Sequence, residues 1–199
     1  MTNDEIAQLY DRACKESKEP WKASLWFSEE DAYMNYSIVS NITAPGDSVL
    51  DVGCGQGGLY DVLSSRFSDI RYHGIDISKE MISRASARRP DVRFTHGDFL
   101  SSDLEPADKV IAIGAFSFLS ERDQYDYLRE CLEKCFRLCN KKVAVTMTTL
   151  QADVRFDNSS LFYYCPIKVH EIASSITPYY TINTMSISCE MIVILSKLN

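Results

Sequence analysis

The stretch VLDVGCGQGG, from Val49 to Gly58, places an acid and four glycines directly after an apolar run. Glycine loses more backbone freedom on folding than any other residue, so its concentration here requires a structural reason. These ten residues hold four of the eight glycines in the chain. The stretch therefore predicts a tight turn after a strand, at which the backbone approaches another group closely.

Strand-like and helix-like segments alternate along the chain on the carboxyl side of this turn. Strands are predicted at Ser48–Val52, Arg71–Asp76, Val92–His96, Lys109–Ile113 and Lys142–Thr148, with two more in TINTMSIS (181–188) and EMIVILSKL (190–198). Apolar residues at helical spacing predict helices at Leu59–Arg66, in SKEMISRASARR (78–89) with Ser78 as the cap, at Gln124–Leu138 and at Ile167–Ile176.

This order of elements predicts an α/β fold. Crossover helices between successive strands favour a doubly wound, seven-stranded, mostly parallel sheet. The last two strands are separated by too few residues for a crossover, so we expect them to pair as an antiparallel hairpin. The prediction is therefore a parallel sheet that ends in an antiparallel last strand.

Composition and charge limit the class of protein. A chain of 199 residues is long enough for one sizeable core, so a single domain over residues 1–199 is expected, with the α/β core at 47–199. The net charge of −7 argues against broad binding to a nucleic-acid backbone. We also expect no secretory signal, because the N-terminus has no basic start followed by an apolar core. No membrane span is expected, because no apolar run approaches about 18 residues. The sequence does not indicate an oligomeric state.

The seven cysteines are scattered, and three of them recur every four residues. Cys131, Cys135 and Cys139 would line one helix face, a spacing that invites a metal site. No histidine or further cysteine accompanies them at zinc-site spacing, so we expect buried thiols and no metal. Unpaired thiols predict a reducing compartment, with the cytoplasm as the default location.

Residues 1–40 stand apart from the α/β alternation. They are predicted to be helical and contain six aromatic residues, including both tryptophans of the chain: Tyr10, Trp21, Trp26, Phe27, Tyr33 and Tyr36. Two interpretations remain open. The segment either packs on the outside of the sheet or forms a lid over a ligand, for which we expect residues from Trp21 to Ser37.

Three acids stand at the ends of successive predicted strands: Asp51, Asp76 and Asp98. Ligands of open α/β sheets bind beyond the carboxyl ends of the strands, so these side chains should meet at one edge. Asp76 is placed to accept both hydroxyls of a ribose, and Asp98 to accept from an exocyclic adenine amine. Acids at three strand ends suit a nucleoside that carries a cation, and suit a pyrophosphate poorly.

The segments VLDVGCGQGG, GIDIS, HGDF and KVIAIGAF, in this order, resemble the motifs of class I S-adenosylmethionine-dependent methyltransferases. The close resemblance covers about Asp47 to Ala115. It implies a Rossmann-like methyltransferase fold with seven strands and S-adenosylmethionine as cofactor. The later segments are similar to a group of small stand-alone bacterial proteins of this class.

The resemblance also implies roles for residues in the cofactor site. Asp51 should hold the methionine amine, and Gly53 and Gly55 should let the cofactor pass the backbone. The other implied contacts are Asp76 with the ribose, Ile77, Asp98 and Phe99 with the adenine, and Gly114 and Ala115 with the methionine portion.

The acceptor is predicted to be a small molecule. After the fourth strand the chain reads IGAFSFLS, without the Asn/Asp-Pro-Pro-Tyr/Phe motif of enzymes that methylate planar nitrogens. Candidate pocket residues are Trp26, Phe116, Phe118 and Tyr163, although aromatic residues near strand ends also serve as core. Tyr33 and Tyr36 are the candidate catalytic residues.

Two alternatives to methyl transfer remain open from the sequence. Some proteins similar to this class let the amine of the cofactor attack its own Cγ, which closes a four-membered ring and releases methylthioadenosine. A non-catalytic binding module is the other alternative, and the intact set of acids and glycines speaks against it.

Overall fold

The computed structural model describes residues 1–151, 160–184 and 190–198. Seven strands form one sheet in the order β3-β2-β1-β4-β5-β7-β6. In chain order they are β1 (Ser48–Val52), β2 (Arg71–Asp76), β3 (Arg93–His96), β4 (Ala107–Ile113), β5 (Cys139–Thr148), β6 (Tyr180–Asn183) and β7 (Glu190–Ser196). The predicted part of the hairpin at residues 185–189, with Cys189, lies outside the described residues.

Seven helices are described along the same chain. They are α1 (Asn3–Glu16), α2 (Pro20–Ala23), α3 (Glu29–Ser40), α4 (Gly58–Arg66), α5 (Lys79–Arg88), α6 (Gln124–Leu138) and α7 (Pro166–Ile176). None of the helices in the described part of the chain is long and apolar enough to cross a membrane.

The direction of the strands confirms the predicted fold class. β1 to β5 pair in parallel, and β7 pairs antiparallel with both β5 and β6. The last strand is antiparallel as predicted, but it lies between β5 and β6 and not at the edge of the sheet. The order reverses beside β1, so the carboxyl ends of β1 and β4 flank the switch point at which ligands bind in such sheets.

Local signals explain where α5 and α6 begin. The Ser78 hydroxyl accepts a hydrogen bond from the Met81 amide at 3.1 Å and caps α5, as predicted. The Asp123 carboxylate caps α6 by accepting from the amides of Tyr125 and Asp126. These caps fix the start of each helix, because they satisfy amides that have no partner inside the helix.

One prediction about the cysteines is wrong. Cys139 does not share a helix face with Cys131 and Cys135, because α6 ends at Leu138 and Cys139 begins β5, paired with Ala107 of β4. All three thiols are buried in the core, and burial raises the pKa of each. Among the described residues, no group of histidine, cysteine or acidic side chains could hold a metal ion.

The N-terminal helices pack at the carboxyl end of the sheet. Asp11 of α1 accepts hydrogen bonds from the Ser78 hydroxyl at 2.6 Å and from the Glu80 amide at 3.2 Å, which ties α1 to the start of α5. Val39 of α3 is buried in a cluster with Val49 of β1 and Leu59 of α4. These contacts hold α1 against the start of α5, which follows β2, and α3 against β1 and α4.

Candidate active site

A cavity of about 190 Å³ lies between the strand ends and the N-terminal helices. All nine residues predicted to hold the cofactor line this cavity: Asp51, Gly53, Gly55, Asp76, Ile77, Asp98, Phe99, Gly114 and Ala115. Of the other predicted site residues, Trp26, Tyr36, Phe116 and Phe118 line it as well. The structure therefore brings thirteen of the fifteen predicted residues to one place.

Tyr33 and Tyr163 do not line the cavity. Tyr33 is 61% exposed, whereas Tyr36, three residues later in α3, lines the cavity. Tyr163 is half-buried, and Leu161 provides the cavity wall in that segment. The fully buried Tyr164 donates its hydroxyl to the Phe116 carbonyl at 2.7 Å, and so holds the loop after β4. The positions of Tyr33 and Tyr163 do not support their predicted site roles.

The glycine turn brings the loops after β1 and β4 together. Gly53 has a φ of +72°, and a Cβ at this position would lie 2.6 Å from the Cβ of Ala115. The amides of Gly53 and Cys54 both donate to the Ile75 carbonyl of β2, which anchors the turn. The glycine at position 53 is therefore required by the fold itself, since a side chain there would meet the β4 loop.

Asp51 is a buried carboxyl with one partner that the sequence did not reveal. The Tyr72 hydroxyl donates a hydrogen bond to Asp51 Oδ2. Burial, together with the nearby Asp76, raises the pKa of Asp51 to about 7, although the bond from Tyr72 opposes this shift. Both charge states of Asp51 are therefore populated near neutral pH.

Asp76 links the glycine turn to the start of α5. Its two carboxylate oxygens accept from the amides of Gly55 and Ser78, each at 2.8 Å. Burial raises the pKa of Asp76, and these two hydrogen bonds counteract that rise. Each carboxylate oxygen has a further acceptor position for a ligand hydroxyl, since an ionised carboxyl offers about four.

Asp98 and its neighbours form another wall of the cavity. The Asp98 carboxylate accepts from the Ser101 amide at 3.1 Å and orders the loop after β3. The rings of Phe99 and Phe116 lie 6.2 Å apart and continue this wall as an apolar surface. A polar edge beside an apolar face is suited to a heteroaromatic ring.

The N-terminal helices form the roof of the cavity. Tyr10 of α1 contacts Phe118 edge to face at 5.6 Å, and Trp26 contacts Tyr36 in the same way at 6.1 Å. Tyr36 fits closely against α4, because a Cβ on Gly58 would lie 2.6 Å from the tyrosine ring. Burial raises the pKa of Tyr36, so its hydroxyl keeps its proton at neutral pH.

Several polar lining residues were missed by the sequence reasoning: Tyr10, Asp31, Ser117, Tyr127, Thr148 and Glu190. Most belong to elements outside the glycine and strand-end motifs, so no local pattern marked them. Glu190 had a weak signal, because it is an acid at the start of an otherwise apolar strand, EMIVILS.

We expect Gly53→Ala to destabilise the protein strongly, because it adds a methyl group 2.6 Å from Ala115 and places alanine at a φ of +72°. Gly46→Ala is the control in thermal unfolding, because it separates the steric contact from the backbone strain. Gly46 has a similar φ of +76°, but a Cβ added there would lie 3.5 Å from its nearest neighbouring atom. A second substitution, Ala115→Gly, should restore much of the loss. A double variant no more stable than Gly53→Ala would contradict the steric explanation.

Residues 49–141 match the protein family described as Methyltransferase domain. Trans-aconitate 2-methyltransferase of Sinorhizobium medicae is 31% identical over 106 residues, which are 51% of this chain and 41% of that protein. The uncharacterized methyltransferase YdaC of Bacillus subtilis is 28% identical over 123 residues, which are 59% of this chain and 65% of that protein. The chain thus spans less than two thirds of the length of each of these relatives.

The fold is similar to that of magnesium protoporphyrin IX methyltransferase (ChlM) from Synechocystis PCC 6803, crystallised with bound SAH. The TM-score is 0.73 at 12% sequence identity, over 99% of this chain and 100% of that one. At this identity the likeness establishes the fold alone. The Rossmann-like methyltransferase fold predicted from the motifs is confirmed.

Proposed function

We propose that this chain, which carries a class I S-adenosylmethionine-dependent methyltransferase domain, transfers a methyl group from S-adenosylmethionine to a small-molecule acceptor. The observation that carries the proposal is the convergence of Asp51, Asp76 and Asp98 with the glycine turn on one roofed cavity. Methyltransferases among the relatives and the structural neighbours support the same reaction class.

The described residues fit the cofactor. Asp76 would accept from the ribose hydroxyls, Asp98 from the adenine amine, and Asp51 from the methionine amine. Ile77 and Phe99 would pack against the adenine, while Gly114 and Ala115 would border the methionine portion. The bound cofactor supplies a methyl group on a sulfonium, which is already a strong leaving group.

The protein itself contributes mainly by positioning the reactants and excluding water. Alignment of two reactants can lower a barrier by roughly 7–11 kcal/mol without any acid or base. The roof formed by Trp26 and Tyr36 lies where it would shield the reacting atoms from solvent. Tyr36 would act there as a wall and a hydrogen-bond donor, not as a base, because burial holds the proton on its hydroxyl.

A small acceptor is favoured by the cover that α1 and α3 provide over part of the cavity, which Tyr10 and Tyr36 line. The proposed location is the cytoplasm, and the described cysteines support a reducing compartment because six of them are free thiols: Cys14, Cys54, Cys131, Cys135, Cys139 and Cys165. Nucleic acid is not a proposed partner, and the acidic charge supports this exclusion. No observation favours the cyclase alternative, so it is not proposed.

The reaction class is tested by the nucleoside product. Incubation of the full chain with S-adenosylmethionine and a pool of small acceptors should yield S-adenosylhomocysteine, measured by mass spectrometry. Formation of methylthioadenosine without an acceptor would show that the reaction is cyclisation or lysis and not methyl transfer. If calorimetry detects no binding of either S-adenosylmethionine or S-adenosylhomocysteine, the proposed function fails altogether.

We expect Asp76→Ala to weaken S-adenosylmethionine binding at least tenfold, about 1.4 kcal/mol, through loss of charge-assisted hydrogen bonds to the ribose. Some thermal stability should be lost as well, because the amides of Gly55 and Ser78 lose their acceptor. Asp103→Ala is the control, since Asp103 is exposed and does not line the cavity. Unchanged affinity in a folded Asp76→Ala protein would remove Asp76 from the site.

The two tryptophans test the role of the roof. Trp26 lines the cavity above Gly114, whereas Trp21 does not line it, although it belongs to the same segment. We expect Trp26→Ala to lower S-adenosylmethionine affinity about two- to thirtyfold, as loss of a cation–π contact of about 0.5–2 kcal/mol implies. Trp21→Ala should leave it unchanged. Equal effects of both substitutions on calorimetric affinity would favour a purely structural N-terminal segment.

A further inference from the structure

Glu190 is a buried acid in the wall of the cavity, beside Gly114. It is the first residue of β7, is 8% exposed, and lines the cavity. Its Oε2 has no hydrogen-bond partner among the described residues. The Thr146 hydroxyl, which accepts from the Gly114 amide at 3.0 Å, hydrogen-bonds to the Glu190 carboxyl. An unpaired carboxylate oxygen in a buried cavity is costly unless a ligand supplies a donor.

Asp31 faces the same space from the roof. It lies in the first turn of α3 and lines the cavity, and its Oδ2 is also buried without a hydrogen-bond partner in the described part of the chain. The charge of Asp31 acts on Glu190 and contributes to the elevated pKa of Glu190. Two unsatisfied carboxylate oxygens thus reach the cavity, one from a strand and one from a helix.

The described residues provide no positive charge for this pair. None of the described residues that line the cavity is lysine, arginine or histidine. The ion pairs found in the described ranges include neither Glu190 nor Asp31. Because buried charges are normally paired, the arrangement favours a ligand that brings its own cation and hydrogen-bond donors.

The position of β7 indicates that this cationic group belongs to the methyl acceptor and not to the cofactor. β7 is separated from β1 by β4 and β5, and at about 4.8 Å between neighbouring strands this places it roughly 14 Å from β1. The acids proposed to hold the cofactor, Asp51 and Asp76, lie on β1 and β2 and already have partners. Glu190 instead lies near Gly114 and Trp26. A Cβ built on Gly114 would lie 3.7 Å from Glu190 Oε1 and 3.9 Å from the Trp26 ring.

We propose that Glu190 and Asp31 bind a protonated amine of the methyl acceptor, and that Glu190 takes the proton of this amine before methyl transfer. This inference rests on the proposed function and adds the chemical class of the acceptor. Trp26, Phe116 and Phe118 supply apolar walls for the remainder of a small alkyl or arylalkyl amine.

The proton step is balanced within the pair. The ammonium N–H bond breaks, its electron pair stays on nitrogen as the lone pair that a methyl acceptor needs, and the proton forms an O–H bond on the Glu190 carboxylate. Both charged groups become neutral, which the burial of the Glu190 carboxyl favours. Burial and then Asp31 raise the pKa of Glu190 to about 7, against the hydrogen bond from Thr146, so Glu190 is suited to accept and release a proton near neutral pH.

Calorimetry on the full chain saturated with S-adenosylhomocysteine tests the proposal. The probes are phenethylamine and its anionic counterpart 3-phenylpropanoate, and at pH 8 we expect the amine to bind at least tenfold more tightly. Amine affinity should rise from pH 6 to pH 8, because the probe stays cationic while the Glu190 carboxyl ionises. Among the described groups, Asp31 from α3 and the Thr146 hydroxyl from β5 affect the pKa of Glu190.

Variants separate this site from the cofactor site. Glu190→Gln keeps the shape but not the charge, so amine affinity should fall at least tenfold and lose its rise with pH. Affinity for S-adenosylhomocysteine should change less than twofold. Asp31→Asn should weaken amine binding in the same direction, and Glu30→Gln should not, because Glu30 is exposed in the same helix turn and does not line the cavity.

The outcomes distinguish the two proposals. If S-adenosylhomocysteine binds but the amine binds no better than 3-phenylpropanoate, the acceptor class is wrong and the proposed function stands. If Glu190→Gln weakens S-adenosylhomocysteine as much as the amine, Glu190 belongs to the cofactor site and the inference is overturned. Should that variant not fold, Asp31→Asn and the comparison of the two probes on the unmodified chain decide.

Discussion

The close approach of Gly53 to Ala115 is the constraint on which the site depends. The two residues follow β1 and β4, the adjacent parallel strands beside the switch point of the sheet. Contact between their loops closes the floor of the cavity and leaves bare backbone at its surface. The turn is anchored to β2 through the Ile75 carbonyl, and through Asp76 to the start of α5. A side chain at position 53 would therefore disturb the backbone on which the proposed cofactor contacts depend.

The electrostatics of the cavity follow from this architecture. Parallel strands bring their carboxyl ends to one edge, so acids that are distant in sequence lie around a common space. Burial raises the pKa of Asp51 and of Glu190 to about 7. Burial also raises the pKa of Asp76, but hydrogen bonds from two backbone amides oppose that rise. A cavity of this kind attracts cations and disfavours anions. The charge pattern that fits the proposed sulfonium cofactor would therefore also restrict which acceptors can bind beside it.

Much of the fold could be predicted because its signals are local. The caps of α5 and the apolar periodicity of α6 fix those helices within a few residues, and α6 was predicted with its observed bounds. The interpretation of the cysteine spacing failed at Cys139, where the four-residue recurrence continues but pairing with Ala107 of β4 begins a strand. Local sequence spacing cannot show whether Cys139 continues the helix or begins a strand, since its strand partner, Ala107, lies more than thirty positions away.

In the candidate site too, residues in local motifs could be predicted, and residues placed by distant contacts could not. The motif residues on β1, β2 and the loops that follow β3 and β4 were predicted, because each motif fixes its own turn. Tyr33 and Tyr36 were indistinguishable in sequence, whereas in the structure Tyr36 lines the cavity and packs against Gly58, and Tyr33 is exposed.

The position of β7 separates Glu190, in the proposed acceptor site, from the proposed cofactor residues on β1 and β2. An antiparallel strand inserted between β5 and β6 presents its amino end where its parallel neighbours present their carboxyl ends. The first residue of β7 therefore joins the rim of the cavity, opposite Thr148 of β5. The chain thus adds a carboxyl to the rim without altering the turn motifs on β1 and β2. Because the strand-end motifs and this residue lie on separate strands, substitutions at the start of β7 would change the proposed acceptor site and leave the proposed cofactor contacts intact.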